Sequence, residues 1–159
     1  MKKLDVKTVV MNAMIACVYV VLTLAIQPLA YGAIQMRISE IMVFLAFYNK
    51  KTIPGLIVGC LIANMFSPMG LWDICFGTLA TAIVCFAFNK LHHLYLGALV
   101  GGIVNGILVG IELTIVFHDP FFINFFYVFV GEVIILVVGA LVFQLLEKNE
   151  TFMKKYILG

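Results

Sequence analysis

Charge is what this sequence has least of. Ten Lys or Arg and eight Asp or Glu make up only 11% of 159 residues, where an ordinary soluble domain carries about 25%. So few charges do not cover a soluble surface of this size. The same numbers exclude a disordered chain, a collagen and a coiled coil, since no heptad is kept. No stretch alternates apolar and polar residues long enough for a transmembrane β-barrel, and neither an internal repeat nor a low-complexity segment stands out. GxxxxGK[ST], HExxH, GxSxG and metal-spaced His/Cys clusters are all missing. No enzymatic centre, metal or cofactor is therefore expected, and ATP hydrolysis has no recognisable route. Uphill transport would draw on an ion gradient or a partner. Cys17, Cys60, Cys75 and Cys85 lie inside apolar runs without a CxxC, and read as small packing residues. A net charge of +2 in so apolar a chain gives no sign of nucleic-acid binding.

What is present is apolar: 64% of the residues are hydrophobic, and the mean hydropathy is +1.16. Polar punctuation cuts the chain into six apolar segments, 8–26, 34–48, 53–66, 71–88, 94–117 and 121–146. The expected fold is an all-α membrane protein, a six-transmembrane-helix bundle making one integral domain over residues 1–159. The second and third segments are short. At 1.5 Å per residue they reach about 21–23 Å, less than a hydrocarbon core of ~30 Å. One region of the bundle should therefore be thin or broken into loop. Pro28 and Gly32 read as ending the first helix, and Thr52-Ile53-Pro54 as opening the third with a capping hydroxyl and an early proline. Residues 67–70 and 118–120 read as tight turns. The first segment has a basic start and small residues around 30–33, but its apolar run exceeds a signal peptide's usual core, so it is read as a retained span.

Lysines orient the bundle. Lys2, Lys3, Lys7, Lys50, Lys51, Lys90, Lys148, Lys154 and Lys155 fall on one side of the six spans, and Arg37 alone falls on the other. This bias places both termini in the cytoplasm and the loops near 27–37, 67–70 and 118–120 outside. His92 and His93 read as solvated in an inner loop. Phe152, Tyr156, Ile157 and Leu158 among lysines read as an amphipathic tail on the membrane surface.

Ionisable groups within spans cost about 2.5–3.5 kcal/mol each on insertion scales and mark functional candidates. On the expected topology, Arg37, Glu40, Asn64, Trp72, Asp73, Glu112, Asn124, Tyr127 and Glu132 come from five spans and fall at outer or middle depth. That pattern describes a pocket open to the outside. Each also has a structural reading. Arg37 and Glu40 at i,i+3 spacing suit an interfacial ion pair, and Asp73 suits a helix cap. Glu112 suits the headgroup zone, and Trp72 and Tyr127 an aromatic belt. Glu132 is deepest and hardest to dismiss. Asn105, seven residues before Glu112 and on the same face, suits either the pocket or an interhelical hydrogen bond. Four acids and one Arg disfavour an anion. They suit a flat, uncharged or cationic molecule rich in hydrogen-bond donors: a carboxylate accepts two bonds from the N1–H and exocyclic amine of a guanine-like ring, with an aromatic face stacked on it. The glycines at 97, 101, 102, 106 and 110, and Gly55 with Gly59, read as close packing. Ala13-xxx-Cys17 and Asn12-xxx-Ala16 give the first helix a small face for the bundle or another subunit.

Gln35-Met36-Arg37-Ile38-Ser39-Glu40, followed by Ile53-Pro54-Gly55 and Gly59-Cys60-Leu61-Ile62-Ala63-Asn64, resembles the QueT family. The likeness runs from about residue 12 to 146, with the Q-x-R-x-S-E stretch its specific part. The resemblance implies an S component of a bacterial energy-coupling factor (ECF) vitamin transporter in the cytoplasmic membrane. It implies a queuosine precursor as substrate, a 7-deazaguanine such as preQ1 or preQ0, or queuine. It also implies a transmembrane T subunit and two cytoplasmic ATPases as partners. A small face on the first helix, here Ala13 and Cys17, would meet the T subunit. The loop around 27–35 would act as a lid, and the whole subunit would rotate in the membrane to release its ligand. On this reading Glu132, Glu112 and Asp73 accept ring N–H groups, Asn64 and Asn124 assist, Trp72 and Tyr127 stack, and Arg37 with Glu40 organises the outer mouth. The alternatives are an S component for another vitamin, a proton-coupled secondary transporter with Glu112 or Glu132 as relay, and a non-transport assembly subunit.

Overall fold

The computed structural model describes residues 5–31, 35–153 and 157, and every regular element among them is helical. Asp5 starts the first helix, α1 (Val6–Ala25), by accepting the Lys7 N–H. A single turn, α2 (Gln27–Ala30), follows, with Pro28 near its start. Pro28 thus follows the end of the first helix, which it cannot continue, and opens a new turn, which its fixed φ and missing N–H suit. Gly32 lies outside the described residues.

The second segment is broken, as its length required. A 3-10 stretch, Ile38–Val43, leads into α3 (Phe44–Tyr48). Its 11 residues rise only about 20 Å. A 3-10 turn, Lys50–Thr52, then enters α4 (Ile53–Asn64), with Pro54 near its start. Thr52 does not cap it with its side chain: the hydroxyl donates back to the Asn49 carbonyl at 2.7 Å. The cap comes from another helix. Asn12 of α1 accepts the Gly55 N–H at 2.6 Å and donates to the Lys51 carbonyl at 2.9 Å.

At the turn 67–70, Gly70 has φ +60°, a conformation that side chains strain to adopt, and it opens α5 (Leu71–Phe88). Then come α6 (Leu94–Phe117), α7 (Phe121–Glu147) and a single turn, α8 (Glu150–Phe152). By length and composition α1, α5, α6 and α7 are able to cross a membrane.

Successive segments run in opposite directions. Asn64 meets Asp73, and Cys60 approaches Gly77; Phe88 meets Gly97. Along α6, Gly101, Gly102 and Gly110 meet Leu136, Val133 and Phe125 of α7 in descending order. A Cβ on Gly110 would lie 3.1 Å from the backbone N and Cα of Phe125, so glycine there lets the two helix backbones approach closely.

The start of α1, the turn before α4 and the end of α7 therefore share one end of the bundle, with Lys7, Lys50, Lys51 and Lys148. Tyr48 donates to Glu147 there at 2.8 Å, and Asn49 to the Ile157 carbonyl at 3.0 Å. Met153 and Ile157 are buried, so the described part of the tail docks on this end of the bundle. Tyr156 and Leu158 fall outside the described residues. The core nearest the basic end is apolar: Phe44 lies 4.9 Å from Phe88 and 5.7 Å from Phe143 between ring centroids. Away from that end the interior turns polar.

Candidate functional site

The polar interior starts at Arg37. Residues 35–37 approach the bundle without helical structure, and Arg37, in extended conformation, turns inward ahead of the 3-10 stretch. Its Nη2 donates to Asp73 Oδ1 at 2.7 Å, its Nε to the Ala30 carbonyl at 3.4 Å, and its guanidinium lies 5.3 Å from the Tyr31 ring centre. The other Asp73 oxygen accepts the Ser67 hydroxyl. Asp73 is thus no helix cap. It is held between Arg37 and the 67–70 turn, and Arg37 pairs with it rather than with Glu40.

Glu40 is not paired with Arg37 but buried further along the broken second segment, where Oε1 accepts the hydroxyls of Tyr19 and, at 2.9 Å, Thr81. Asn64 donates to the Asp73 carbonyl at 2.9 Å and to Thr78 at 3.2 Å. Gly77 completes this wall. A Cβ there would stand 2.9 Å from Asn64 Nδ2, 3.1 Å from Asp73 Oδ1 and 3.3 Å from Arg37 Nη1, so only glycine leaves the three polar groups undisturbed.

The facing wall is α6 with α7. Asn105 donates to Glu132 at 3.3 Å, and Asn124 to Thr114 at 3.2 Å. The second segment packs directly on α7, where a Cβ on Gly139 would stand 2.9 Å from the Phe44 ring and 3.4 Å from the Ile41 Cα, so the two walls adjoin. Arg37, Glu40, Asp73, Glu112 and Glu132 are all buried, none more than 4% exposed. Buried polar groups normally find partners. Here five side-chain atoms among the described residues have none: Gln35 Nε2, Glu40 Oε2, Asn64 Oδ1 and both carboxylate oxygens of Glu112.

The structure therefore gathers Arg37, Glu40, Asn64, Asp73, Asn105, Glu112, Asn124 and Glu132 in the bundle interior. Trp72 and Tyr127 stay apart. Trp72 is 44% exposed and stacks on Phe76, and Tyr127 is 46% exposed beside Phe122 and Phe126. The aromatic residues beside the polar groups are instead Tyr19, bonded to Glu40, and Tyr31, whose hydroxyl donates to the Ala63 carbonyl at 2.6 Å. Burial pushes that hydroxyl up to about 12, with the Arg37 guanidinium opposing the shift, so it stays a donor. On α1 the four small residues divide. Asn12 and Ala16 pack closely against Gly55 and Gly59 of α4, with Ala16 buried and Asn12 half-buried. Ala13 and Cys17 remain exposed. Sequence reasoning missed Tyr19, Tyr31, Ser67, Gly77 and Thr81 as members of the polar interior. Gln35 had a signal, the first position of the Q-x-R-x-S-E stretch.

A family model described as QueT transporter matches residues 9–148. The chain is also 30% identical, over 94% of its length and 97% of the relative's, to the queuosine precursor transporter QueT of Lactococcus lactis subsp. cremoris (strain MG1363). No solved structure matches it.

Proposed function

The chain belongs to the QueT transporter family, and from that premise we propose that it is the substrate-binding membrane subunit of an ECF-type importer. It captures a queuosine precursor, a 7-deazaguanine, from the outer face of a bacterial cytoplasmic membrane. Being a transporter, it is not an enzyme. In this reading all six helical segments lie within one membrane domain, the basic end faces the cytoplasm with both termini, and the polar half opens outward. ATP is hydrolysed by partner ATPases coupled through a T subunit, since the sequence carries no nucleotide-binding motif of its own.

One observation carries the proposal: five buried polar atoms without partners, from three separate segments, around a single interior. Leaving a buried acceptor unpaired costs about 1–3 kcal/mol, so the cluster gains from a ligand that supplies the missing partners. Glu40 and Glu132 at middle depth suit the N1–H and exocyclic amine of a guanine-like ring, and Gln35 suits its carbonyl. Asn64 assists, and Arg37 with Asp73 fixes the wall behind. Purified chain in detergent should carry a 7-deazaguanine detectable by mass spectrometry, and the emptied protein should rebind it in a calorimetric titration. A well-folded chain that carries none and rebinds none would end this reading.

A further inference from the structure

The hydrogen-bonding character of the interior narrows the ligand further, on the reading just given. Of the five unpartnered buried atoms, four are acceptors (Glu40 Oε2, Asn64 Oδ1 and both Glu112 oxygens), and one, Gln35 Nε2, is a donor. A matching ligand is rich in N–H groups and needs few acceptors of its own. Charge points the same way. Arg37 is the one buried cation among the described residues, and its Nη2 is spent on Asp73 at 2.7 Å. Glu40, Glu112 and Glu132 are left with no buried cation of their own. A neutral 7-deazaguanine presents its N1–H and exocyclic amine on one edge and a single N9–H on another, which two carboxylates satisfy, so of the three glutamates one waits for something else.

Glu112 is the candidate for that remainder. It is fully buried, both its oxygens lack a partner, and it stands five residues from the outer end of α6. Glu40, by contrast, already accepts two hydroxyls, and Glu132 accepts Asn105. We propose that the interior selects a 7-deazaguanine whose 7-substituent is a short arm ending in a primary ammonium, with Glu112 as its counter-ion. The ammonium brings three donors and a positive charge to two unpaired acceptors in a medium where such bonds are strong. A nitrile at the same position brings only a lone pair and faces the carboxylate with like polarity.

The test compares 7-aminomethyl-7-deazaguanine with 7-cyano-7-deazaguanine on the purified full chain in lipid nanodiscs. The unsubstituted protein should bind the amine at least about tenfold more tightly than the nitrile. Glu112→Gln, which keeps shape and removes the charge, should cut that ratio to within about twofold, chiefly by weakening the amine, while Glu112→Asp should keep a clear amine preference. If the unsubstituted protein binds both compounds equally, or the nitrile more tightly, the ammonium proposal is overturned while the transport reading stands. A ratio unchanged in folded Glu112→Gln removes Glu112 from the role. If neither compound binds the unsubstituted protein, the ammonium proposal falls, and the transport reading falls with it only where the purified chain also carries no 7-deazaguanine. Should Glu112→Gln fail to fold, the unsubstituted ratio and Glu112→Asp still decide the matter.

Discussion

At the residue scale, Arg37 and Asp73 are the most constrained pair in the molecule. Both are buried, and their closest atoms are 2.7 Å apart. Such a pair adds little net stability, because desolvating two charges offsets their attraction, yet breaking it strands a buried charge at about 3–5 kcal/mol. Arg37→Met should therefore lower unfolding stability in detergent by about that amount, and adding Asp73→Leu should restore most of it. A double variant no more stable than Arg37→Met alone would show that the pair is not held as described. Glu132 behaves differently, since its one hydrogen bond is to Asn105 at 3.3 Å. Glu132→Gln preserves the shape and a hydrogen-bonding oxygen, so the fold should survive while ligand affinity falls at least about tenfold, or 1.4 kcal/mol. Unchanged affinity in a folded variant would take Glu132 out of the site.

Helices and their ends show where the sequence was readable. Apolar runs and lysines located the helical segments, and the lengths of the second and third already implied a thin or broken region. The buried acids were also legible, because charge is so rare in this chain that each occurrence inside a span is a signal. Partners were not. The i,i+3 spacing of Arg37 and Glu40 suggested a pair on one helix, but Arg37 precedes the 3-10 stretch in extended backbone and reaches across to α5. Trp72 and Tyr127 carried the usual aromatic expectation, yet helix rotation, which composition does not encode, leaves both exposed. Helix capping shows the same limit. Thr52 occupies the expected position, but Asn12, 43 residues away from Gly55, supplies the cap. Asn12→Ala should thus cost about 0.5–2 kcal/mol of stability, and Thr52→Val clearly less, read as shifts in thermal unfolding of the detergent-solubilised chain. The reverse order would return the cap to Thr52.

For the whole molecule, the division between a basic, apolar-cored end and a polar-lined half sets what the chain is able to do alone. On the proposed reading, the polar half offers hydrogen bonds and charge to a ligand. The basic end offers no nucleotide-binding motif, so binding and energy must be separable on the proposed reading. Ala13 and Cys17 are exposed one turn apart on α1, while Asn12 and Ala16 pack against α4. That leaves a narrow strip, flanked by exposed Met14 and Val18, where another helix is able to approach closely. A Trp at Cys17 would obstruct such an approach without touching the polar interior, which faces the other side of α1 through Tyr19. In proteoliposomes, the chain by itself should bind its ligand but not accumulate it, and adding a T subunit with its two ATPases should give uptake that requires ATP. Cys17→Trp should retain ligand binding and lose both co-purification with the T subunit and that uptake. Accumulation by the lone chain that collapses with an uncoupler would instead favour the proton-coupled alternative, with the buried glutamates as the relay.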